Sequence, residues 1–160
     1  MANAEDRVYR LRSAIEPIRD RYDVILVDFP PSLGLLTLNA LCSADSVIIP
    51  MQCEYYALEG LSQLVRTVEM VRTAFNQTLR IEGVLLTMFD RRNNLARQVA
   101  DDVRSNFSGR VFEEIIPRNV RLSEAPSFGK PIILYDIASR GCQSYLALAR
   151  EFLDDSAVAA

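Results

Sequence analysis

The stretch Tyr22 to Leu41, YDVILVDFPPSLGLLTLNAL, constrains this chain more than any other, because it runs apolar residues up to a carboxylate and then forces a turn. Val24, Ile25, Leu26 and Val27 form a continuous apolar run, the pattern of a strand covered on both faces in a parallel sheet. The charge, Asp28, comes where the run stops. Pro30 and Pro31 push Phe29 and Pro30 out of the α region, so the backbone leaves the strand as an extended turn before a helix begins near Ser32 or Leu33. Open α/β sheets bind ligands beyond the carboxyl ends of their strands, and a carboxylate there can hold a magnesium ion directly or through water. A solvated loop aspartate after a core strand accounts for DFPP equally well.

The rest of the chain repeats the alternation. Apolar runs predict strands at Val47 to Pro50, Ile81 to Phe89 and Val111 to Ile116, and a short extended segment at Ile132 to Tyr135. Helical spacing predicts an amphipathic helix over 5–21, strained at Pro17, then Leu33 to Leu41, Ala57 to Phe75, Leu95 to Phe107 and Ser139 to Leu153, with a short helix closed by Ser123 to Pro126. Asp154 and Asp155 are expected to end the last helix, leaving a frayed tail. Gly60 lowers helix stability by about 1 kcal/mol relative to Ala, which points to close packing there. Strand, helix, strand at this spacing implies right-handed parallel crossovers. The fold class is α/β, a mostly parallel sheet flanked by helices, in a single domain over 1–160.

Composition narrows the chemistry. A chain of 160 residues with 49% hydrophobic content can build a core, and its longest apolar runs are strand length, so no membrane span is expected. Cys42, Cys53 and Cys142 form no CxxC pair and read as small buried hydrophobes. Histidine is absent, which excludes Ser-His and Cys-His mechanisms and leaves carboxylates, arginines, backbone amides and a bound metal. The net charge is −3, yet 80–121 carries eight arginines (80, 91, 92, 97, 104, 110, 118, 121) against six acids (82, 90, 101, 102, 113, 114). A basic face on an acidic protein can bind phosphates; solvated helix faces and loop ends explain the same residues.

Four blocks in collinear order resemble the ParA/Soj family of chromosome- and plasmid-partitioning ATPases: DFPPSLGLLTLNAL, IIPMQCEYYALEGLSQL, GVLLTMFDRRNNL and IPRNVRLSEAPSFGKPIILYDIASRG. The likeness covers roughly residues 5 to 153 and implies a P-loop NTPase-like fold of the deviant Walker type. The sequence departs from the family in lacking the Gly-rich phosphate loop with its two lysines and a second Asp-bearing strand. Its only lysine, Lys130 in FGKP, has neither the upstream glycines nor the following Ser or Thr of such a loop. The chain therefore reads as the C-terminal part of the ATPase domain, incomplete at its N-terminal side. A sheet lacking those strands is expected to expose apolar area and an unpaired edge.

By the same resemblance Asp28 is the catalytic carboxylate and helps position Mg2+, through water, while the backbone at Pro30 and Pro31 senses the γ-phosphate of ATP. Met88 borders the adenine pocket, and Pro117, Arg118 and Asn119 lie over the base. Arg92 and Arg121 bind double-stranded DNA nonspecifically; their planar, always charged forks meet phosphate oxygens in pairs. The implied protein is a cytoplasmic, nucleoid-associated ATPase that forms a nucleotide-dependent homodimer and is regulated by a ParB-type partner. Both ATP and Mg2+ are expected only together with a phosphate loop. The alternative is a catalytically inactive DNA-binding or interaction module derived from such an ATPase. A MinD-type relative would end in a basic amphipathic helix, unlike this acidic tail, and a nitrogenase iron protein would need cluster cysteines that Cys42 and Cys53 do not supply.

Overall fold

The computed structural model describes residues 4–30 and 34–158. Pro31, and the helix start expected at Ser32 or Leu33, lie outside the described residues. Two compact units emerge, 1–47 with 60–82, and 48–59 with 83–160.

The first unit opens with a 3-10 turn Ala4–Tyr9, a short helix α1 (Arg10–Ile15) and a second 3-10 turn Glu16–Arg21, rather than one helix over 5–21. Pro17 stands at the start of the second turn, where its lack of an N–H removes an α-type bond. Helix α2 (Leu35–Ser43), most of α3 (Ala57–Ala74) and the first residues of strands β1 (Ser46–Gln52) and β2 (Arg80–Thr87) complete the unit. Leu41, Cys42, Val47, Val68, Val71 and Leu79 form its core with Val8, and Phe29 packs against them. Two buried amides brace this core. Asn39 Nδ2 donates to the carbonyls of Arg7 (2.8 Å) and Leu35 (2.9 Å) while its Oδ1 accepts from the Leu11 N–H (3.1 Å). Asn76 Nδ2 donates to the carbonyls of Leu41 (2.9 Å) and Ala44 (2.8 Å), closing the end of α2. An exposed bidentate pair, Arg19 Nη2 to both oxygens of Asp45 at 2.7 and 2.8 Å, ties the N-terminal segment to the approach to β1.

Strands β1 and β2 pair. The Arg80 N–H donates to the Asp45 carbonyl at 3.2 Å and the Cys53 N–H to the Thr87 carbonyl at 3.3 Å, so both chains rise together and the pair is parallel. The expected strand at Val24 to Val27 is not formed: Val24 to Pro30 has no regular secondary structure, and Leu26 is 83% exposed. Among the described residues, 23–29 make no backbone hydrogen bond. A strand exists only when a neighbour completes its ladder, so an apolar run without one stays extended and wet.

The second unit takes the ends of β1 and β2, α4 (Asn94–Asn106), α5 (Val120–Glu124), a 3-10 turn Ala125–Phe128, α6 (Ile132–Tyr135) and α7 (Arg140–Val158). Leu85, Phe112 and Ile116 form its core, with Ile48, Leu122, Leu148 and Phe152 packed around them. Residues Ile132 to Tyr135 are a helical turn, not the extended segment their β-branched residues suggest, because the Leu134 and Tyr135 N–H groups both reach back to the Pro131 carbonyl (3.0 and 3.1 Å). Ser139 Oγ accepts from the Cys142 N–H at 3.2 Å and so caps α7. That helix continues through Asp154 and Asp155 instead of ending there. All three cysteines are free and buried, as the spacing implied. Among the described residues no helix is long and apolar enough to cross a membrane.

Two glycines separate by what surrounds them. A Cβ on Gly83 would sit 2.9 Å from the ring of Phe112, which is fully buried, so β2 needs a bare backbone there. Gly60 is the opposite: nothing lies within 4 Å of its Cβ position, so close packing does not explain it. Gly60→Ala is therefore expected to stabilise the chain by about 1 kcal/mol, and Gly83→Ala to destabilise it by about 1–3 kcal/mol. Urea unfolding followed by far-UV circular dichroism reads both signs.

Candidate functional site

Asp28 and Pro30 belong to the first unit. Asp28 is exposed, held between Phe29, whose ring is anchored in the core, and a half-buried Val27. The buried Thr37 hydroxyl donates to the Pro30 carbonyl at 3.1 Å, fixing the turn to α2. Among the described residues no three His, Cys, Asp or Glu side chains converge. Asp28 would therefore offer magnesium a single carboxylate, and the ion's other ligands would be water and phosphate oxygens, the arrangement this small hard cation commonly keeps. The residue type and its access fit that role.

The remaining candidates lie in the second unit, on the two segments that leave the sheet side by side. Beyond β1 and β2, the chain from Arg110 to Arg118 runs parallel to β2 but irregularly, touching it at two bridges, Val84 with Val111 and Phe89 with Pro117. The Val84 carbonyl accepts from the Phe112 N–H (3.0 Å) and the Leu86 carbonyl from the Ile116 N–H (2.9 Å). Thus β2 advances two residues while its neighbour advances four, and Glu113 and Glu114 fall out of the ladder. Glu151 on α7 satisfies them: its Oε1 accepts from the Glu113 N–H at 2.9 Å and its Oε2 from the Glu114 N–H at 3.0 Å. Arg110 completes the arrangement, pairing with Glu151 at 3.1 Å and lying 4.3 Å over the Phe112 ring. Burial alone would push the Glu151 carboxyl up; the two backbone N–H groups and Arg110 outweigh it and hold the group below its ordinary range.

One extra residue just beyond β2 then offsets half of this excess. The Phe89 N–H donates to the Ile116 carbonyl (3.2 Å) and the Arg118 N–H to the Phe89 carbonyl (3.0 Å). From Leu86 to Phe89 is three residues, while the partner advances only two, from the Ile116 N–H to the Arg118 N–H, and Met88 is the surplus. Met88 takes φ of 53°, a left-handed conformation unusual for a long side chain, and is the only non-glycine residue with positive φ among those described. Such a bulge re-aims side chains at a sheet's rim. This tie brings the segment from Met88 to Asp90 beside Pro117 and Arg118.

Both loops then turn into helices by the same device. Asn93 Oδ1 accepts from the Leu95 N–H (2.9 Å) to cap α4, and Asn119 Oδ1 accepts from the Arg121 N–H (2.9 Å) to cap α5. Asn119 thus spends its side-chain carbonyl oxygen on the start of the helix. Arg92 is almost fully exposed, but its fork is engaged: Nε donates to Asp90 Oδ1 at 3.1 Å, Nη2 to Oδ2 at 3.0 Å, and its backbone N–H to Oδ1 at 3.0 Å. Arg121 is engaged as well, by Glu124 Oε2 at 2.9 Å and Asp136 Oδ2 at 3.4 Å. Tyr135 Oη donates to the same Glu124 oxygen at 3.1 Å, and its ring stacks on Phe128 with centroids 5.1 Å apart.

The sequence reading named the arginines and missed their carboxylates. Asp90 and Glu124 carry local signals, an Asx turn two residues before an arginine and an i,i+3 helix pair. Asp136, fifteen residues beyond Arg121, has none.

A family model for the AAA domain matches residues 1–81, half of the chain. The chromosome partitioning protein ParA of Myxococcus xanthus is 63% identical over 153 residues, 96% of this chain and 54% of that protein. Sporulation initiation inhibitor protein Soj of Bacillus subtilis is 61% identical over 145 residues, 91% of this chain and 57% of that protein. Among solved structures, cobyrinic acid a,c-diamide synthase from Mycobacterium smegmatis with bound ATP analog and magnesium superposes with a TM-score of 0.73 at 34% identity, over 94% of this chain and 56% of that one. The chain spans about half the length of the curated relatives it matches. Fold and family model together define an AAA-domain chain of P-loop NTPase-like α/β architecture, a parallel sheet flanked by helices. Within that class it belongs to the ParA/Soj family of chromosome partitioning ATPases.

The loop geometry has a pH signature. Hydrogen bonds from the Arg92 side chain and backbone N–H, with the nearby charges of Arg92 and Arg118, hold Asp90 at about 2 instead of 3.8. A lowered carboxyl pKa in the folded state stabilises it fully above about 3.8 and loses that contribution as pH falls through about 2. Carboxyl-carbon NMR titration is expected to show Asp90 titrating near 2, and Arg92→Ala to return it toward 3.8.

Proposed function

We propose that this chain supplies the base-binding and DNA-binding part of an ATP-dependent partitioning protein of the ParA/Soj type. In that reading the protein binds double-stranded DNA nonspecifically as a nucleotide-dependent homodimer, associates with the nucleoid, and is regulated by a ParB-type partner. Asp28 helps position magnesium through water, and the backbone at Pro30 and Pro31 senses the γ-phosphate. Met88, Pro117, Arg118 and Asn119 border adenine, and Arg92 and Arg121 hold DNA phosphates. The observation that supports this best is the tie between Phe89 and Pro117, which gathers one apolar residue, one amide donor and three arginines on adjoining loops of a chain 63% identical to a ParA protein. An apolar wall with a few polar groups suits a base, and exposed guanidinium groups suit a phosphate backbone.

A second reading, a catalytically inactive DNA-binding or interaction module, is favoured by two observations. None of the 160 residues forms a GxxxxGK[ST] loop, and the run at 24–27 has no ladder partner among the described residues. The phosphate loop supplies the backbone amides and lysine that cradle triphosphate, so residues 1–160 alone are expected to show no magnesium-dependent ATP turnover. Turnover abolished by Asp28→Ala would contradict this. For DNA, Arg92→Ala combined with Arg121→Ala is expected to remove about two units from the log–log salt slope of binding to random duplex DNA, since each phosphate contact contributes about 0.9. An unchanged slope and affinity would take both arginines out of the interface.

A further inference from the structure

Both arginines assigned to DNA are already occupied by carboxylates of this chain. Arg92 makes a two-pronged contact with Asp90, and the same carboxylate accepts the Arg92 backbone N–H, so the side chain is folded back onto its own turn. Arg121 lies between Glu124 and Asp136, with Glu124 further steadied by the Tyr135 hydroxyl. A carboxylate presents two oxygens to the guanidinium fork much as a phosphate does. A ligand phosphate arriving at either arginine must therefore share or displace an oxygen that is tethered and close.

We propose that Asp90, Glu124 and Asp136 act as internal phosphate mimics: they hold Arg92 and Arg121 in DNA-facing positions and compete with DNA for the same guanidinium donors. This rests on the reading that these arginines bind DNA. The carboxylates are positioning residues with two opposed effects. They orient each fork, which favours binding, and they occupy it, which weakens binding. The pairs are exposed, Arg92 at 90% and Arg121 at 54%, so side-chain entropy and screening keep the orienting benefit small and competition dominates. The consequence is a DNA affinity held below what the arginines alone would give, suited to a contact that must release.

The test is a double-mutant cycle on random-sequence duplex DNA, read by fluorescence anisotropy at fixed low salt. Asp90→Asn keeps an acceptor for the Arg92 N–H, so the turn is retained while the charge is removed. It is expected to tighten binding by about two- to fivefold, the scale of an exposed ion pair. The gain should vanish when Arg92 is already Ala, because no fork remains to be released. Glu124→Gln with Asp136→Asn should behave alike toward Arg121. Asp101→Asn, a charge change of the same size outside any ion pair among the described residues, sets the gain expected from net charge alone.

A gain that persists in the Arg92→Ala background, or equals that of Asp101→Asn, reports only the general field and overturns the proposal. Weaker binding by Asp90→Asn, with near-ultraviolet and far-ultraviolet spectra unchanged, makes orientation the dominant effect and overturns it too. Failure of the underlying reading looks different: Arg92→Ala and Arg121→Ala each leave the affinity of the otherwise unaltered chain untouched.

Discussion

The hydrogen bonds that join Phe89 to Ile116 and Arg118 decide where the candidate residues of the second unit can be. They close the sheet's rim after two residues are added on the neighbouring chain and one, Met88, just beyond β2, so that between the bridges the neighbour advances six residues against five. The loops that follow are then launched side by side, each into a helix capped by an asparagine. Without that registration Arg92 and Arg118 would be ordinary surface charges on separate turns. With it, they share a field strong enough to reach one carboxylate, Asp90.

The irregularities that make this possible are supported from behind. Glu113 and Glu114, displaced from the ladder, would leave two N–H groups without sheet partners, and Glu151 takes both. Its own charge is balanced by Arg110, whose guanidinium is steadied over Phe112. Phe112 in turn fills the space that Gly83 leaves open. A chain of contacts thus runs from the last helix through the core to the rim, and its members are a carboxylate, a cation, a ring and a glycine.

Much of this was legible in the sequence and some was not, for physical reasons. Apolar spacing located α3, α4, α7, β1 and β2 because each buries a face against residues the chain itself carries. The same reasoning failed at Val24 to Val27, where an apolar run records a preference for burial but cannot say whether a ladder partner is present. Ile132 to Tyr135 misled through β-branching, a weak preference that Pro131 and a local hydrogen-bond pair override. The four blocks that resemble ParA and Soj proteins identified the family correctly, and they also pointed to the two loops. Their carboxylate partners were hidden because ion pairing across fifteen residues leaves no pattern in a sequence.

Amide hydrogen exchange followed by NMR tests the rim's registration most directly. The N–H groups of Phe89 and Arg118 should exchange as slowly as those of Val84 and Phe112, since all four sit in the same parallel contact, while Arg91 in the adjoining loop exchanges freely. Fast exchange at Phe89 and Arg118, with Val84 and Phe112 still protected, would mean the two loops are not held together and that their arginines do not form one surface.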